Sequence, residues 1–112
     1  MSEVTQRIKE LEAHIEGQKT LAEMGEIAER LAANHDFRVL ILDGFCRDEA
    51  ARYVQESGDP MLTAVQRQDA LNMAQASGHL KRFLSITCVI GHGAQDSILN
   101  AQAEIEQLRS EA

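Results

Sequence analysis

The sequence predicts an all-α protein: a bundle of about four helices with long terminal helices, compatible with an elongated arrangement. Three observations predict it. Ala, Leu, Gln and Glu dominate while aromatic residues make up only 4% and Trp is absent, which is the composition of helices. Apolar residues recur at three- and four-residue spacing along most of the chain. A single Pro and few Asn-Gly or Gly-Asn dipeptides leave no punctuation for the many short strands of a sandwich or barrel. At 112 residues the chain fits one domain, 1–112, made of an N-terminal helix or kinked pair (1–33), a central helical core (34–90) and a C-terminal helix (94–112).

Val4, Ile8, Leu11 and Ile15 open the first segment at spacings of four, three and four, the seam of one helix pairing with another. The large apolar residues then resume one position shifted, at Leu21, Met24, Ala28 and Leu31, and Thr20 with Glu23 has the form of a capping box. A kink or fresh helix start is therefore expected at Gly17 to Thr20. Asn34-His35-Asp36 is a stop and restart signal, because Asn and Asp side chains accept from the free amides that open a helix. A second helix is expected from Asp36 to about Ser57, with Phe37, Leu40, Ile41, Phe45, Tyr53 and Val54 inward. Gly58-Asp59-Pro60 should end it, with glycine taking a left-handed cap.

The third segment, Met61 to about Ile90, carries Leu62, Val65, Leu71, Met73, Leu80, Phe83 and Leu84. Gly91-His92-Gly93 reads as its end, and Ala94, Ile98, Ala101, Ile105 and Leu108 as a fourth helix. Phe37 to Val54 and Leu62 to Ile90 are the expected core. Residues 38–42 and 85–90 are rich in β-branched residues and admit a two-stranded ribbon. Neither alternates polar with apolar, so both are read as helical turns.

The net charge of -7 disfavours a surface that tracks nucleic-acid phosphates or an anionic membrane. Residues 1–33 and 91–112 each sum to -3, so pairing the two ends would bring like charges together unless their acidic faces turn outward. Met1-Ser2-Glu3-Val4-Thr5 lacks the pattern of a signal peptide, and the longest strictly aliphatic run is Val39 to Leu42, so no membrane association is expected. Cys46 and Cys88 are read as free thiols.

Groupings that might carry chemistry dissolve when their geometry is considered. Cys88 and His92, with His35 and Cys46, lack the close ligand pairs of structural zinc sites. No Glu has a His three residues later, as a di-iron bundle requires, and Glu10 with His14 reads as a surface pair. Gly91-His92-Gly93-Ala94 lacks the lysine and spacing of a phosphate loop, and Lys81-Arg82 stands without neighbouring basic residues. No catalytic, cofactor-binding or metal-binding residues are assigned, and the chain is expected not to be an enzyme.

The stretch Leu31-Ala-Ala-Asn34-His-Asp36-Phe37-Arg-Val-Leu40-Ile41-Leu-Asp-Gly44-Phe45, followed by Glu49-Ala50-Ala-Arg52, resembles small helical proteins encoded by tailed bacteriophages. Leu80-Lys-Arg-Phe83-Leu84 and Gly91-His-Gly93-Ala94, leading into an acidic helix, are similar in kind. The resemblance implies a virion-associated or assembly protein, in the virion or the host cytoplasm. It would act in multiple copies by self-association or against portal, capsid, tail or core proteins. On the sequence alone the contact residues would be the terminal seams: Val4, Ile8, Leu11, Ile15, Ile98, Ile105 and Leu108. The alternative is an acidic helical adaptor or inhibitor that binds a host or viral protein.

Overall fold

The computed structural model describes residues 2–111, and every regular element among them is helical. Helix α1 spans Glu3–Ala33, a second helical rod covers 35–57, and α4 spans Ala64–Glu111. The rod consists of a single α turn, α2 (His35–Phe37), a π-helix, π1 (Arg38–Glu49), and α3 (Ala50–Ser57). The two β-branched stretches fall within π1 and α4, and no strand occurs among the described residues.

Three helices thus replace the four expected. Gly91-His92-Gly93 lies inside α4, which runs 48 residues without interruption, and Gly17 lies inside α1, which runs 31 residues with no fresh start at Thr20. A glycine costs a helix interior about 1 kcal/mol relative to alanine, a penalty that favourable packing elsewhere along a long helix outweighs. Thr20 and Glu23, read as a capping box, are interior to α1 as well.

The true ends are marked by side chains that satisfy opening amides. Ser2 Oγ accepts from Thr5 N at 3.1 Å at the start of α1. Asn34 has extended backbone angles and accepts from Phe37 N at 2.9 Å, as its position predicted. Before α4, Thr63 Oγ1 accepts from Gln66 N at 3.1 Å while Gln66 Oε1 accepts from Thr63 N at 2.9 Å, a reciprocal capping box. Gly58 closes α3 with φ -104°, so the expected left-handed cap is not used, and no described residue has positive φ. Asp59 Oδ1 accepts from Met61 N at 2.9 Å, and Arg67 donates to Leu62 O at 2.6 Å, fixing the connection onto α4.

The fold divides into two compact units. The first takes α1 as far as Ile27 and α4 from Thr87; the second comprises Ala28–Ile86. In the first unit the helices run antiparallel, as Arg7 meets Glu104 while Glu26 meets Gln95. Their seam is a heptad on both sides. In α1 residues 4, 8, 11, 15, 18, 22 and 25 turn inward, and in α4 residues 91, 94, 98, 101, 105 and 108 do. The seam never changes register at Gly17. It continues through Gln18, Ala22 and Gly25, and the larger Leu21 and Met24 stay on the surface.

The second unit reverses the expected core. No residue of 35–57 is buried, and the buried positions of the whole unit are Ala28, Ala70 and Ser77. Ser77 satisfies its hydroxyl within α4, donating to Ala74 O at 2.7 Å.

Candidate contact surfaces

In the first unit the seam tapers. At its wide end Leu11, Ala101 and Ile105 form a buried cluster against which Ile8, Ile15 and Leu108 pack. Burying residues such as Leu11 and Ile105 contributes about 1.5–3 kcal/mol each. At its narrow end the interface consists of Ala22, Gly25, Gly91 and Ala94. A Cβ placed on Gly25 would stand 2.6 Å from Gly91 Cα, and one on Gly91 2.5 Å from Gly25 Cα. Only two facing glycines let the backbones come this close. Gly91, expected to end a helix, instead serves the crossing of two.

The like-charge conflict between the terminal segments is resolved reciprocally. Arg7 of α1 pairs with Glu104 of α4 at 3.0 Å, and Arg109 of α4 pairs with Glu12 of α1 at 3.4 Å. The hydrogen bond from Arg7 to Glu104 raises the arginine's pKa. These pairs are exposed, so they select the partner helix and register more than they stabilise the unit. The remaining carboxylates of these helices are exposed.

The seven residues read as an intermolecular interface are brought together here within one chain: Leu11 and Ile105 are buried, and Val4, Ile8, Ile15, Ile98 and Leu108 are half-buried. Beside them a trough of about 350 Å³ is lined by Arg7, Glu10, Leu11, His14, Ser97, Asn100, Ala101 and Glu104. His14 Nε2 and Ser97 Oγ are 2.5 Å apart, either one donating according to the imidazole tautomer. His14 is therefore bonded across the seam, whereas Glu10 pairs with Arg7 at 3.5 Å. The trough is open, and Arg7, Glu10, His14, Ser97 and Glu104 on its rim are bonded to one another.

The first unit also leaves Val89 71% and Leu99 62% exposed, but the second exposes more large apolar residues and buries none. Leu40 is 71% exposed, Met61 89% and Val65 70%, and Leu31, Val39, Val54, Leu71, Met73 and Phe83 also stand outward. Two shallow hollows lie among such residues. One, of about 290 Å³, is lined by Tyr53, Glu56, Leu62, Gln66, Asp69, Ala70 and Met73. The other, of about 510 Å³, lies on π1 against Leu40, Ile41, Gly44, Phe45, Asp48 and Glu49. The π-helix explains its shape: bonding from i to i+5 stacks Leu40 over Phe45 and Gly44 over Glu49, and Gly44 leaves the gap between the rows. At Ala50 the amide is shared between Phe45 O and Arg47 O, where the wider helix gives way to α3.

Charge divides unevenly between the units. The first unit holds ten acidic and four basic residues, the second eight and seven, so nearly all of the -7 belongs to the first. On the rod the charges pair locally: Arg47 with Asp43 at 3.7 Å and Asp48 at 3.0 Å, and Arg52 with Glu49 and Glu56, both at 2.5 Å. Bonding to Glu49 raises the Arg52 pKa, and the guanidinium also lies 4.6 Å from the Tyr53 ring centre.

Cys46 and Cys88 are free thiols, half-buried. Among the described residues no group of three or more His, Cys, Asp or Glu side chains is placed to hold a metal ion, and no helix is long and apolar enough to cross a membrane. No family model, curated protein or solved structure matches the chain.

Proposed function

We propose that the protein is a non-enzymatic contact protein, acting in several copies in the assembly or structure of a tailed-phage particle, within the virion or the host cytoplasm. The observation that carries the contact role is the second unit, which buries two alanines and a serine while Val39, Leu40, Val54, Met61 and Val65 face outward. Large apolar side chains left exposed in this number favour a protein-contact role. The phage setting rests on the sequence resemblance over Leu31 to Arg52 and Leu80 to Ala94. Portal, capsid, tail and core proteins are the partners it implies.

Deleting the gene in the phage that carries it tests this reading. The yield of complete particles should fall and recover when the wild-type chain is supplied, and not when Val39→Glu/Leu40→Glu is supplied. Normal yield without the gene, together with absence of the chain from purified particles by mass spectrometry, would remove the phage role.

A second reading, an acidic adaptor or inhibitor of a host or viral protein, is favoured by the surplus of six negative charges on the first unit. It requires a basic partner whose binding weakens steeply with added salt. Salt-insensitive binding would count against it.

A further inference from the structure

From the geometry of π1 we infer that 38–49 is a two-register element, π-bonded as seen and exchanging with an α-bonded form that re-aims Leu40; this concerns the chain alone and does not rest on the contact reading above. Packing does not hold the rarer register in place. π-helices occur mostly as single-turn bulges, whereas π1 runs twelve residues and none of them is buried. Its Arg47 pairs with Asp43 and Asp48 inside the segment, so these bonds tie it to no other element. Few buried contacts are the mark of a locally dynamic element.

The α register is close at hand. Both ends of π1 are already α-helical: Arg38 donates to Asn34 O at 3.0 Å, four residues back, and α3 follows at Ala50. Conversion is then propagation from existing turns, without the cost of a new nucleus. At the C-terminal junction the Ala50 amide is divided between Phe45 O, five residues back, and Arg47 O, three back, so bonding is already mixed there. Asp43 and Arg47 have the four-residue spacing that an α-helix brings together, yet lie 3.7 Å apart across the wider turn.

The half-buried face suits neither register fully. Phe37, Ile41, Phe45, Glu49 and Tyr53 recur every four residues, between the about 3.6 per turn of an α-helix and the wider turn of i to i+5 bonding. Gly44 tips the balance. It lies against Val39 O, five residues back, where a Cβ would stand only 3.1 Å away. Glycine there leaves room for the π bond and weakens the α form, in which only proline is a poorer residue. Conversion winds Leu40, now 71% exposed, through about half a turn relative to Ala50, and so takes it off the face it occupies.

Nuclear magnetic resonance of the full chain tests the inference. Couplings across hydrogen bonds identify the acceptor of each amide, and in the wild type the Gly44 amide should couple to the Val39 carbonyl carbon. Relaxation dispersion should show microsecond-to-millisecond exchange over 38–49, with a minor form of roughly 1–10%. In Gly44→Ala the coupling of residue 44 should move to Leu40, and the shifts of 38–49 should move to those of the wild type's minor form. Gly93→Ala, whose Cβ meets nothing within 4 Å, should leave the acceptors of 38–49 unchanged.

A wild type bonded from i to i+5 without exchange overturns the inference, as does one already α-bonded throughout 38–49. A folded Gly44→Ala chain that keeps Val39 as the acceptor overturns it too. If Gly44→Ala does not fold, the wild type decides: absence of exchange over 38–49 overturns the inference.

Discussion

The two units solve the same problem, how a pair of helices hides its apolar residues, in opposite ways. The first brings small residues to the seam until Gly25 and Gly91 nearly touch, and encloses Leu11 and Ile105 at the wide end. The second places alanine and serine at its buried positions too, yet its large side chains are half-buried or exposed. In the first unit those small residues give a close approach of the two backbones. What differs is that the first unit buries large residues, Leu11 and Ile105, and the second buries none, although each exposes some, Val89 and Leu99 in the first and Leu40 and Met61 in the second.

The sharpest way to break this comparison is to remove one large side chain from each unit. Leu11→Ala deletes a side chain only 6% exposed and should cost about 2–5 kcal/mol in urea unfolding. Gly91→Ala comes next: the new Cβ has no room against Gly25 Cα, so the helices must part, at about 1–3 kcal/mol of stability despite the better helix propensity of alanine. Asn34→Ala and Thr63→Ala each remove a helix cap and should lower stability by about 1 kcal/mol.

Gly93→Ala, two residues beyond Gly91, should act with the opposite sign. Its Cβ would meet nothing within 4 Å, so thermal unfolding should show a gain of about 0.5–1 kcal/mol. Leu40→Ala is the smallest, under about 0.5 kcal/mol for the isolated chain, and its effect should appear in association instead. If Leu40→Ala cost as much as Leu11→Ala in a dilute monomeric sample, the contrast between the units would fail.

The helical class, the Asn34 boundary and the end near Gly58 were legible because each depends on local chemistry: propensity, a side chain bonding to a nearby amide, a break after Ser57. The seam from Val4 to Ile15 was legible for the same reason, being a simple period. Its continuation was not, because Gln18, Ala22 and Gly25 carry little hydrophobic signal, and the eye follows Leu21, Met24 and Leu31 onto the wrong face. Gly91 misled in the same manner: a glycine that ends a helix and one that admits a neighbouring backbone look alike until the neighbour is known. Thr20-x-x-Glu23 and Thr63-x-x-Gln66 share one pattern, and only the second follows a chain break that leaves amides to satisfy. The π-helix leaves no mark of its own in residue type.

The pairing of Arg7 with Glu104 joins residues 97 positions apart in sequence. Contacts so distant form only after a large loop has closed, whereas the turn from Asp59 to Arg67 and the caps at Asn34 and Thr63 involve near neighbours. Folding should therefore begin in the second unit and end with the zipping of the first. During that interval the outward apolar side chains of the second unit are already in place while much of the acidic charge remains on unpaired terminal segments, which makes those side chains available early in the life of each molecule and leaves the compaction of its ends for last.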